Sequence, residues 1–93
     1  MKHANKRAEE RYYIENFDEQ KAIKEILNDR CITLISDIEK YSHTFLIRYC
    51  NKYIKVVTDF NINFVKTILP INTGDFEILN ELLNKLSACP LAA

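Results

Sequence analysis

The apolar periodicity of this chain changes at residue 31, and that change limits the folds open to it. Before Cys31 apolar residues recur at helical spacing, and beyond Pro70 that spacing returns. Between them lie four β-branched and aromatic runs: Cys31-Ile-Thr-Leu-Ile, Thr44-Phe-Leu-Ile-Arg-Tyr-Cys, Tyr53-Ile-Lys-Val-Val-Thr and Ile62-Asn-Phe-Val-Lys-Thr-Ile-Leu. Each has the length and composition of a strand. Asn51-Lys52 separates the second run from the third, and Asp59-Phe60-Asn61 the third from the fourth. Connections this short join antiparallel neighbours, because a parallel crossover needs about a dozen residues. Pro70 stops the last run, since it has no N–H to give to a ladder.

The flanking segments read as helices. From residue 2 to about 13, Ala4, Ala8 and Tyr12 form an apolar stripe. Asn16-Phe17-Asp18 breaks it, and Asp18 can cap a second helix that has Glu19 in its first turn. That helix runs to about Asp29 and buries Ala22, Ile23, Ile26 and Leu27. Thr73-Gly-Asp75 has turn chemistry, with Thr73 or Asp75 as caps. Residues 76 to about 87 then form a helix with Phe76, Ile78, Leu79, Leu82, Leu83 and Leu86 apolar. The expectation is one α+β domain over residues 1–93, with two N-terminal helices, a four-stranded antiparallel meander sheet and a C-terminal helix, arranged in two layers. Residues 88–93 read as a frayed tail.

Thirteen basic and thirteen acidic side chains leave the chain with zero formal charge. No global field gathers nucleic acid, so any such contact must come from a local patch. A chain that is 47% hydrophobic and 28% charged is neither disordered nor fibrous. Three cysteines without C-x-x-C spacing give no disulfide framework and no zinc pattern, so reduced, buried thiols in a cytoplasmic protein are expected. No metal or other cofactor is expected. The apolar runs are too short to span a membrane, and no membrane partner is expected.

His3, Arg7 and Arg11 stand at i, i+4 and i+8, which places them on one stripe of the first helix. Guanidiniums one turn apart repel each other unless an anion lies between them, and phosphate matches their planar fork. The imidazole adds a group able to transfer protons. On the sheet, a two-residue loop at Asn51-Lys52 pairs Cys50 with Tyr53, Arg48 with Lys55 and Leu46 with Val57. Cations set opposite each other in this way also call for an anion. The next hairpin has two registers open to it. A loop at Phe60-Asn61 pairs Lys55 with Lys66, whereas a loop extended through Ile62 pairs Lys55 with Thr67 and Asp59 with Asn63. Either leaves a basic strip around Arg48 and Lys55. A solvated sheet face neutralised by Asp37, Glu39 or Asp59 would read the same way. His43, in Tyr-Ser-His-Thr, reads as a loop residue, and Cys50 is given no nucleophilic role.

Four segments in order resemble the small RelE-like domains of the barnase–EndoU–colicin–RelE ribonuclease superfamily. They are HANKRAEER (3–11), AIKEIL (22–27), FLIRYCNKYIKVVTD (45–59) and FVKTILP (64–70), and together the likeness spans residues 3 to 70. The resemblance implies a small toxin that cleaves RNA without a metal, through attack of the RNA's own 2′-hydroxyl on phosphorus. It implies His3 as the acid/base, Arg7 and Arg11 as the phosphate clamp, Lys55 as a cation on the sheet, and Thr67 as a hydroxyl that orients the phosphate. RNA or the ribosome would be the target, and an antitoxin would mask this face. The alternative on the same frame is a binding protein without catalysis, such as a phage-encoded inhibitor of a host protein or defence complex. A third reading is a homodimer formed through the apolar stripe of the C-terminal helix.

Overall fold

The computed structural model describes residues 2–88, with side chains from Ala4 onward. Helices α1 (Lys2–Tyr12) and α2 (Glu19–Leu27) lead into strands β1 (Cys31–Asp37), β2 (Ser42–Tyr49), β3 (Lys52–Asp59) and β4 (Val65–Leu69). A 3-10 turn, Thr73–Asp75, then runs into α3 (Phe76–Ala88). The strands form the expected antiparallel meander in the order β1-β2-β3-β4. Asp18 caps α2 as read, its carboxylate accepting the Lys21 amide at 3.2 Å. Ala88 is the last residue of α3, and the rest of the tail lies outside the described residues.

The helices do not share one layer. Ala4 and Ala8 of α1 and Ala22, Ile23 and Ile26 of α2 bury against Phe45, Ile47, Tyr49, Ile54, Val56, Val65 and Ile68 on one sheet face. Alternate residues of the same strands point the other way. There Leu46 meets Leu82 and Leu86 of α3, with Ile32, Leu34 and Tyr53 packed alongside. The two-layer expectation is therefore corrected to a sheet with helices on both faces, because β1 to β3 carry apolar residues on both.

Both hairpin registers differ from the expected ones. The β2–β3 turn is Cys50-Asn51, closed by Tyr49 opposite Lys52, so Arg48 faces Tyr53 and Lys55 faces Leu46. Cys50 and Asn51 both have positive φ, 47° and 66°. That is the sense a two-residue hairpin needs to match strand twist. Cysteine is a poor occupant of that conformation. Cys50→Asn is expected to stabilise the domain by about 0.5–1 kcal/mol, read as a higher urea midpoint at unchanged slope.

Between β3 and β4 neither register read from the sequence forms. Lys55 faces Leu69 and Val57 faces Thr67, with a bulge that leaves Lys66 unopposed before Val65 meets Thr58. The reason is Asp59, whose carboxylate accepts the amides of Asn63 (2.6 Å) and Phe64 (2.9 Å) and draws residues 60–64 into a longer loop. Burial alone would raise the Asp59 carboxyl, but the amides of Phe64, Asn63 and Asn61 and its own outweigh that and hold it below the usual range.

Candidate functional site

The residues expected to hold a phosphate are committed to partners within the chain. On α1, Arg7 Nη1 lies 3.0 Å from Glu10 Oε1, one turn ahead, so the anion that relieves the arginine pair is intramolecular. Arg11 Nη1 donates to the Ile68 carbonyl at 2.6 Å, on the open edge of β4. The backbone of His3 lies in α1, and its side chain lies outside the described residues.

The sheet cations behave alike. Lys55 Nζ lies 3.1 Å from Asp75 Oδ2, and the two side chains are only 12% and 13% exposed. Asp75 also accepts the Asn72 amide at 2.7 Å. The Asn72 amide first, then Lys55, hold the Asp75 carboxyl below its usual range. Arg48 Nη2 reaches Asn51 Oδ1 at 3.3 Å across the hairpin turn. Arg48 and Lys55 do share the α3-side face of the sheet, as expected, but diagonally rather than opposed. Thr67, opposite Val57, also faces that side, half-buried. The structure thus places Arg48, Lys55 and Thr67 on one face, with Arg7 and Arg11 on α1, which packs beside β4 on the other.

Several residues organise this region in roles that the sequence did not assign to them. Tyr12 is wedged into the end of the β3–β4 ladder, its hydroxyl accepting the Lys55 amide at 3.3 Å and donating to the Leu69 carbonyl at 2.5 Å. Burial pushes that phenol up. Lys52 Nζ closes α1 through the Tyr12 carbonyl at 2.6 Å. Glu19 Oε2 accepts the Val65 amide at 2.7 Å, so Arg11 and Glu19 between them satisfy two backbone groups of edge strand β4. His43 is in β2 rather than in a loop: Nδ1 lies 2.8 Å from Ser36 Oγ, Nε2 lies 3.0 Å from the Phe60 carbonyl, and the ring stacks on Phe60. Spacing gave a signal for Glu10, three residues after Arg7, but none for contacts that bridge 40 residues or more, such as Lys52 to Tyr12.

Cys31 is buried, and burial raises its thiol. Cys50 is exposed in its turn beside Lys21 Nζ at 3.3 Å, which corrects the expectation of buried thiols. Among the described residues there is no group of three or more His, Cys, Asp or Glu able to hold a metal, and no helix is long and apolar enough to cross a membrane. The apolar stripe of α3 is spent inside the domain by Leu82 and Leu86, leaving Phe76 and Leu83 exposed. Compared with known proteins, the chain matches no family model, no curated protein and no solved structure.

Proposed function

We propose that this chain is a binding module that acts by surface contact with a protein partner, and not a ribonuclease. The observation that carries the reading is that Arg7, Arg11, Arg48 and Lys55 each already hold an intramolecular acceptor. Stabilising a phosphorane needs donors that are preorganised and aimed at the developing charge. Here Lys55 is neutralised by Asp75 in a site that is nearly closed to solvent, and Arg11 is occupied by β4.

The partner surface we favour is the end of the sheet where the β2–β3 hairpin, the close of α1 and the start of α2 converge. Lys21, Arg48 and Lys52 surround it; their donors are used within the chain, but none of the three is paired with a carboxylate among the described residues, so the end of the sheet keeps its positive charge. Tyr13 stands there 85% exposed with φ of 56°, where glycine or asparagine would be less strained. A cationic rim with an exposed aromatic suits an acidic protein surface.

The test has two arms. Purified protein is expected to leave ribosomes, mRNA and tRNA uncut, and Arg11→Ala is expected to cost about 1.5–3 kcal/mol of stability without altering that result. A tagged copy is expected to retain one protein in fixed stoichiometry after nuclease treatment, and to lose it on Tyr13→Asp. RNA cleavage that disappears in a folded Thr67→Val variant would return the chain to the ribonuclease class.

A further inference from the structure

At the opposite end of the sheet gather five of the nine large hydrophobic residues that are exposed among the described residues: Ile35, Ile38, Tyr41, Phe60 and Phe64. Ile38 and Tyr41 bound the β1–β2 turn and are 72% and 69% exposed. Tyr41 has φ of 50°, left-handed backbone in which an aromatic residue is strained and which turns usually give to glycine or asparagine. Neither local backbone preference nor burial accounts for a tyrosine there.

The turn is held in place. The Asp37 carboxylate accepts the Lys40 amide at 3.2 Å, and the Tyr41 amide donates to the Ile38 carbonyl at 3.2 Å. From β4, Lys66 Nζ donates to the carbonyls of Lys40 and Tyr41 at 3.0 and 3.3 Å. Apolar groups on a frame this well tied lose little conformational freedom when they are covered.

We infer that this turn is a self-association surface whose occupant is a second copy of the chain. The charge order of the turn is self-complementary. Ile38-Glu39-Lys40-Tyr41 reads apolar, acid, base, apolar. A two-fold axis through the centre of the turn sets Ile38 against the partner copy's tyrosine and Glu39 against its lysine, and then repeats both contacts in reverse, as an isologous interface requires. The side chains of Glu39 and Lys40 are exposed and make no ion pair or hydrogen bond within the described residues. Main-chain pairing through edge strand β1 is disfavoured by its bulge between Thr33 and Ile35, so side chains make the contact. Ile35 and Phe60 extend the patch. The contact is small, so the dimer is reversible and concentration-dependent. It leaves the cationic end free in both copies, and so goes beyond the proposed function without depending on it.

Sedimentation velocity over a concentration series tests this. The unaltered chain is expected to shift from one chain mass towards two. Glu39→Lys and Lys40→Glu, each alone, place like charges across the axis and are expected to weaken self-association about tenfold or more. An equimolar mixture of the two variants is expected to form a heterodimer, because each supplies the charge the other lacks. A chain that stays monomeric at every concentration overturns the inference. So do single variants that associate as tightly as the unaltered chain, or a mixture that fails to associate. RNA cleavage, the readout that would overturn the proposed function, leaves these outcomes untouched.

Discussion

Leu46→Ala is expected to lower the stability of this domain by about 2–5 kcal/mol. Leu46 is fully buried and is the contact through which β2 holds Leu82 and Leu86. The rest of that cluster is only partly buried, so little else is positioned to fill the space left behind. A domain of this size has about 5–15 kcal/mol in all, so the variant should melt markedly earlier in urea and exchange its α3 amides sooner. Leu83→Ala, on the exposed side of the same helix, should stay within about 0.5 kcal/mol of the parent. Equal losses in the two variants would mean that α3 is not held through Leu46.

Asp75→Ala is expected to cost about 2–3 kcal/mol, since it leaves the Lys55 ammonium unpaired at 12% exposure and removes the acceptor of the Asn72 amide. The pH dependence has a definite sign. The folded carboxyl sits below its unfolded value, held there by the Asn72 amide and then by Lys55. Its contribution is therefore complete above about pH 4, the ordinary carboxylate range, and fades as pH falls through the depressed value. Melts of the parent and of Asp75→Asn should differ near neutrality and converge in acid. A gap that widened on acidification would rule out the pair as its source. Lys55→Gln should show the same convergence, because it leaves Asp75 held by Asn72 alone.

The element order was legible because it rests on local pattern. Asp18, Pro70 and the alternation in β3 each act within a few residues, and each falls where expected. The registers were less legible, because each hung on one local detail: left-handed Cys50 and Asn51 in one hairpin, and the Asp59 carboxylate gathering amides in the other. The state of the candidate site was hardest to see. Whether Lys55 is free depends on Asp75, twenty residues away, and whether Arg11 is free depends on a carbonyl fifty-seven residues away. Sequence spacing gives the charge of such groups but not the contacts that use it.

The docking of α1 on β4 also has a consequence for how the chain is made. Arg11 and Tyr12 leave the ribosome before the carbonyls that receive them, which lie 57 residues later. At about 5–20 residues per second, that interval is roughly 3 to 11 seconds. For its duration an eleven-residue helix has no partner strand, and a helix that short is marginal alone in water. The meander, by contrast, can zip hairpin by hairpin as it emerges. The helix that opens the domain is thus among the last of its elements to settle, and closure of the domain waits for the strand that ends at Leu69.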